Sequence, residues 1–191
     1  NGIMAFALMM GIIIGGIDVA FPAVAVCSMY LTTKTLETMG YDGPVVIPII
    51  AAALIGTILG LINGLIITKL NVAAFIATLG TMYICRGLAN LRSNGATFSK
   101  ISGYEGLGNV GLKALGTNWL NIPAGVYVFA VLAILAAVLL KRTHIGWHIL
   151  AVGGNEKSAK LSGIKADRVK ILVYIISGFC AAWIGLINTA Q

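Results

Sequence analysis

The chain has 191 residues, 59% of them hydrophobic and only 10% charged, with a mean hydropathy of +0.97. Soluble domains carry roughly 25% charged residues, so a water-facing surface over the whole chain is excluded and lipid must face much of it. Thirteen Lys and Arg against six Asp and Glu give a net charge of +7. They sit in loops between apolar runs and not on one soluble face, which excludes a nucleic-acid partner.

The first stretch, residues 3–31, is apolar except for Asp18. As one helix it is too long for a bilayer, and as two it is too short for two comfortable spans. Gly15-Gly16 interrupts a helix and Pro22 fits the first turn of a new one. The sequence predicts a discontinuous element: a helix to about Ile14, a break at 15–18, and a second helix from about Phe21.

Four further spans follow, at 45–68, 72–91, 122–140 and 171–190. Arg86 is the one charged residue within them. Each is about 20 residues, which at ~1.5 Å per residue crosses a ~30 Å hydrocarbon core. Backbone groups in lipid must be satisfied internally, so the spans are helical. The expected fold class is an all-α polytopic transmembrane helix bundle, one domain over 1–191. Gly56, Gly60 and Gly64, Gly11 and Gly15, and Ser177, Ala181 and Gly185 repeat at a spacing of four, which lets helix backbones approach closely. Cys27, Cys85 and Cys180 lie in apolar runs and read as small core hydrophobes. The chain begins without Met or a basic leader and stops as an apolar helix ends. It therefore reads as an internal piece of a longer protein.

The loop 141–170 holds Lys141, Arg142, Lys157, Lys160, Lys165, Arg168 and Lys170, and alternation of the spans puts Lys69 on its side. Lys34, Arg92, Lys100 and Lys113 fall on the other. The positive-inside rule places 141–170 in the cytoplasm and the Gly- and Asn-rich segment 93–121 outside. Within the loop, Asn155 can cap a helix, Glu156 stands in its first turn, and Gly163 is a natural stop. Asp167 is expected to cap the last span. A helix this short is unstable alone and must dock on something. Anionic lipid is the other partner that the basic residues allow.

Several residues are candidates for chemistry. Asp18 is the lone acid in an apolar run. An intramembrane charge costs roughly 2.5–3.5 kcal/mol, which suggests function, but Asp18 also suits a cap on the helix starting near Phe21. Arg86 fits either a solute path or bonds to neighbouring carbonyls. Asn63, Thr78 and Thr81 can meet solute hydroxyls or tie helices together. His144 and His148 stand at i, i+4 beside Trp147 with no acid or Cys nearby, and read as interfacial residues, not metal ligands. The run 106–111 formally fits GxGxxG but follows no strand. No GxxxxGK[ST] phosphate loop occurs, and no nucleophile, base and acid come together, so the chain reads as a non-enzyme without cofactor or metal.

Four motifs in order carry a family resemblance. They are Gly15-Gly16-Ile17-Asp18; Leu61-Ile-Asn-Gly64; Phe75-Ile-Ala-Thr-Leu-Gly-Thr81 with Arg86-Gly87; and Ala151-Val-Gly-Gly-Asn-Glu-Lys-Ser-Ala-Lys-Leu-Ser-Gly-Ile164 followed by Asp167-Arg168-Val169-Lys170. Together they resemble the permease subunits of bacterial ribose-type (simple sugar) ABC importers, across essentially the whole chain. The family's Leu-Ser-Val-Gly after Gly-Gly-Ile-Asp is replaced here by Val19-Ala20-Phe21-Pro22. The resemblance implies a multi-pass protein of the bacterial inner membrane that passes a sugar through a homo- or heterodimer of permease subunits. It implies a separate cytoplasmic ATPase and an extracytoplasmic sugar-binding protein as partners, with lipid around the bundle. Asn155, Glu156, Ala159, Leu161, Ser162, Gly163 and Ile164 would form the coupling helix seated on the ATPase. Asp18, Asn63, Thr78, Thr81 and Arg86 remain the path candidates. Two rivals are the same machine for a branched-chain amino acid, and a secondary transporter, which would need more intramembrane carboxylates than Asp18. A purely structural membrane protein would leave the docking loop without a purpose.

Overall fold

A computed structural model describes residues 2–41, 46–92, 118–119 and 122–190. Segment 93–117, with Lys100, Lys113 and the run 106–111, lies outside the described residues. The apolar runs fold as helices because each closes its own backbone hydrogen bonds. Eight helices are described: α1 (Gly2–Ile13), α2 (Phe21–Thr38), α3 (Val46–Lys69), α4 (Ala74–Arg92), α5 (Ala124–Arg142), α6 (His144–Gly154), α7 (Glu156–Leu161) and α8 (Ala166–Ala190). A two-residue antiparallel pair, Asn118–Trp119 with Ile122–Pro123, precedes α5. By length and composition α3 and the stretch Ala166–Gly185 of α8 can each cross a membrane.

Helix α8 lies at the centre. It packs along α3 and also meets α2 and α1. The α3 contact is antiparallel and made of backbone. A Cβ on Gly56 would collide with the carbonyl of Gly178, one on Gly60 with the carbonyl of Tyr174, and one on Gly64 would come 2.9 Å from the Ile171 Cα. A Cβ on Gly178 would in turn strike the carbonyl of Gly56. The other side of α8 uses Gly185 against the Ala25 carbonyl on α2, and Ala181 in the buried cluster with Val24 and Cys27. Cys85 and Cys180 belong to that same cluster, and all three thiols are free and buried.

Three features differ from the sequence reading. Helix α2 continues past Leu31 to Thr38, its hydroxyls at Thr33 and Thr38 turned back onto carbonyls one turn earlier. Helix α8 starts at Ala166, not 171, because Ala166, Val169 and Val173 continue one buried face down to the core while Lys165 and Arg168 stay exposed. Asp167 consequently lies inside the first turn of α8 and is not its cap. The loop also contains an eleven-residue helix, α6, that its three glycines conceal. Its N-cap is Thr143, whose hydroxyl accepts from the Gly146 N–H at 3.2 Å.

The glycine contact predicts an asymmetry between two substitutions. Gly60→Leu should separate α3 from α8 and cost on the order of 1–3 kcal/mol. Gly80→Leu on α4, where a Cβ meets nothing within 4 Å, should leave stability unchanged. Thermal unfolding of both variants in detergent checks this, and equal midpoints would refute the contact.

Candidate functional site

The break between α1 and α2 is built from two local devices. Gly15 sits at φ +73°, its N–H donates to the Ile12 carbonyl at 2.9 Å, and the Gly16 N–H donates to the Gly11 carbonyl at 2.9 Å. This is a Schellman stop with glycine in the left-handed position. Residues 14–20 are then non-helical. The carboxylate of Asp18 accepts from the Ala20 N–H at 3.0 Å, at the entrance to α2. Its second oxygen accepts from the Ser177 hydroxyl of α8 at 2.8 Å. Thr78 on α4 accepts from the Val19 N–H at 3.3 Å and donates to the Ala74 carbonyl at 2.9 Å. The break is therefore held from two sides, by α4 and by α8.

Tyr174 also reaches this place. It is fully buried, a Cβ on Gly16 would collide with its hydroxyl, and that hydroxyl has no hydrogen-bond partner among the described residues. Sequence reasoning gave neither Tyr174 nor Ser177 a role at the break. The available signal was their i, i+3 spacing, which puts two polar groups on one face of an otherwise apolar helix.

The remaining path candidates go elsewhere. Thr81 of α4 donates to the side-chain oxygen of Asn63 on α3, and both are buried. That pair ties α3 to α4. Arg86, further along α4, is exposed and is not brought to Asp18. His144, Trp147 and His148 are all exposed on α6.

The short loop helix α7 is defined at both ends. The Asn155 side chain accepts from the Ser158 N–H at 3.0 Å. At the other end Gly163 takes φ +83°, its N–H donates to the Lys160 carbonyl at 3.1 Å, and Ile164 donates to the Ala159 carbonyl at 3.0 Å. This is a second Schellman stop, completed by apolar contact of Ala159 and Ile164 in one cluster. The Ser162 hydroxyl donates to the Ser158 carbonyl at 3.0 Å. Glu156 pairs with Lys170 of α8 at 2.7 Å and with Lys160 at 2.9 Å. Those two cations, Lys170 foremost, hold its carboxyl below the usual range. The helix has two faces. Ala159 is turned inward and buried, whereas Leu161 is 90% exposed.

The inward face joins α7 to the break. Ala159, Ala166 and Val169 share one buried cluster with Ile149 and Val152 of α6, Met10 of α1, Ile14 and Tyr174. Helix α6 closes on α1 so tightly that a Cβ on Gly153 would overlap the Ile13 carbonyl. Residues 13 and 14 are where α1 ends.

The chain matches over residues 1–191 the family described as "Branched-chain amino acid transport system / permease component". It belongs to that family. The ribose import permease proteins of Bacillus subtilis and Haemophilus influenzae are 38% and 35% identical to it over 100% of this chain. The fructose import permease protein of Bifidobacterium longum is 33% identical over 99% of it. The chain spans 57%, 58% and 56% of those three proteins respectively. No solved structure matches it.

Two predictions follow from the bonds. Asp18→Asn and Ser177→Ala should be non-additive in a double-mutant cycle of unfolding, coupled by at least ~0.5 kcal/mol; an additive pair would remove the tie between the break and α8. For Glu156 the carboxyl is depressed in the folded chain. Its stabilisation is thus present above the ordinary glutamate pKa of about 4.3 and is lost as pH falls through the lower folded value. Hydrogen exchange at the Gly163 and Ile164 amides, corrected for intrinsic rates, should speed up on acidification over that window. In Glu156→Gln exchange should already be faster at neutral pH and vary little across it.

Proposed function

We propose that the chain is part of the permease subunit of an ATP-driven importer of a simple sugar in a bacterial inner membrane. Helices α3 and α8 would be spans of a multi-pass bundle, and the segment 141–170 would face the cytoplasm. A cytoplasmic ABC ATPase, an extracytoplasmic sugar-binding protein and a second permease subunit, identical or related, would complete the machine. ATP hydrolysis would be the work of that separate ATPase. The sugar is favoured because the relatives quoted above are ribose and fructose import permeases by name. The family's own description supports a branched-chain amino acid as the second reading. Uptake of labelled ribose, fructose and leucine by cells carrying the whole system separates the two.

One observation carries the coupling assignment: α7 shares a buried cluster with the end of α1 at the helix break. A small helix seated in an ATPase groove would push on Ile149 and Val152 through Ala159, and these press on Met10 and Ile14. Displacement of the loop would thereby reach the broken element without passing along any span. Interiors pack too densely to absorb such a shift locally. Asn155, Ser162, Gly163 and Ile164 shape the helix, Glu156 pins it to α8, and Leu161 is the residue offered outward. Asp18, Asn63, Thr78 and Thr81 are buried and bonded within the chain, which suits helix ties. Arg86 is exposed, which suits a path lining or a contact with a neighbouring subunit.

The exposure of Leu161 selects the test. Leu161→Asp should leave the amount of permease in the membrane unchanged while ATPase co-purification and sugar uptake fall together, by at least about tenfold, since a charge would be desolvated in the seat. Ala159→Glu strikes the chain's own core and should lower membrane levels as well. A Leu161→Asp protein that still co-purified with its ATPase and transported normally would sink the coupling role.

A further inference from the structure

Beside α7 lies an open cleft of about 380 Å³ whose lining includes Lys69, Lys160, Lys165 and Arg168, with Asp167 as the one carboxylate among the described lining residues. These cations come from two places far apart in sequence: Lys69 ends α3, and the others flank the start of α8. Lys160 is engaged, at 2.9 Å from Glu156 and 3.9 Å from Asp167. Among the described residues Lys69, Lys165 and Arg168 have no ion-pair partner, and all three are exposed. The antiparallel packing of α3 on α8 brings the end of one and the start of the other to the same level. A positive cleft at that level has one neighbour of opposite charge in a bilayer, the lipid phosphate.

The surface below the cleft decides between a lipid and a free anion. On α3, Leu65, Ile62 and Ile58 lie four, seven and eleven residues before Lys69, which at 3.6 residues per turn puts them in one stripe beneath it. They are 39%, 43% and 53% exposed. Eleven residues at ~1.5 Å rise cover roughly 16 Å, about half of a ~30 Å hydrocarbon core, or one leaflet. A free phosphate uses the cleft and ignores the stripe. A phospholipid uses both.

We propose that the cleft between the end of α3 and the start of α8 seats the phosphate headgroup of an anionic phospholipid, with its acyl chains lying along Leu65, Ile62 and Ile58. This rests on the reading that α3 and α8 cross the membrane. The seat adjoins Gly163 and Ile164, the stop of α7, so an occupied cleft braces the loop helix from the membrane side while Leu161 remains free on the other.

The test uses the full-length protein purified with its ATPase. Retained phosphatidylglycerol and phosphatidylcholine of matched chains are counted by native mass spectrometry, with and without millimolar inorganic phosphate. Wild type should prefer phosphatidylglycerol, and Lys69→Gln, Lys165→Gln and Arg168→Gln should each weaken that preference by about fivefold. Leu65→Asn with Ile62→Asn should weaken retention while leaving the cations in place. The Lys141→Gln, Arg142→Gln pair, outside the cleft, should have no effect. An equal loss in that control pair would reduce the site to diffuse surface charge and overturn the proposal. Displacement of the lipid by inorganic phosphate, with the Asn pair indistinguishable from wild type, would assign the cleft to a free anion and also overturn it. So would cation variants that keep the lipid but lose the ATPase. If the protein stays in carbonate-washed membranes and binds its ATPase yet shows no lipid preference, this inference alone fails. If it washes out of the membranes, the underlying permease reading fails with it.

Discussion

The structure depends on one steric condition: α3 and α8 touch backbone to backbone. With Gly56, Gly60 and Gly64 against Gly178, Tyr174 and Ile171, carbonyls stand where side chains would otherwise be. Lipid offers little hydrophobic drive for helix association, so close approach and the dispersion contacts it allows must hold such a pair. Because α8 is fixed along its length by α3, its other residues have fixed positions too. Ser177 then reaches Asp18, Tyr174 lies under Gly16, and Ala166 and Val169 form the floor on which the loop helix rests.

The two helix stops are the same device used twice. Gly15 and Gly163 each take a left-handed conformation and let the next amide bond back into the helix. At Gly15 the stop opens a stretch of backbone whose N–H groups are met by Asp18 and Thr78. Backbone groups left without helical partners must be satisfied within the protein, and here the side chains of Asp18 and of Thr78 on α4 do so. At Gly163 the stop turns Ile164 under Ala159 and closes the six-residue helix at its C-terminal end. One buried cluster packs the loop helix and the end of α1 together. It also explains why α6 exists: its Ile149 and Val152 fill the space between them.

Charge is distributed by the same logic. Two pairs of buried polar side chains are bonded within the chain, Asp18 with Ser177 and Asn63 with Thr81. Lys69, Lys165 and Arg168, three cations without an ion-pair partner among the described residues, gather where α3 ends and α8 begins. A cation at that boundary keeps its hydration while its stem lies along apolar surface, so the cluster costs the fold little and leaves three charges available to a ligand.

Much of this was legible in the sequence. Apolar length alone predicts the helices α3, α4, α5 and α8. Gly15-Gly16 with Pro22 marks the change from α1 to α2, and Asn155 and Gly163 bracket α7. These are local signals, set by backbone propensity and by the cost of unpaired N–H and C=O groups. Other features needed three dimensions. Helix α6 is hidden because glycine-rich composition weakens every local signal except the Thr143 cap. The start of α8 at Ala166 follows from a buried face that hydropathy averages away beside Lys165 and Arg168. Which face of α7 is outward, Leu161 or Ala159, depends on what packs beneath it. Above all, sequence lists Asp18, Ser177, Tyr174 and Lys69 as isolated polar residues, and only the antiparallel register of α3 on α8 decides which of them meet, because that register is set by where glycine permits contact.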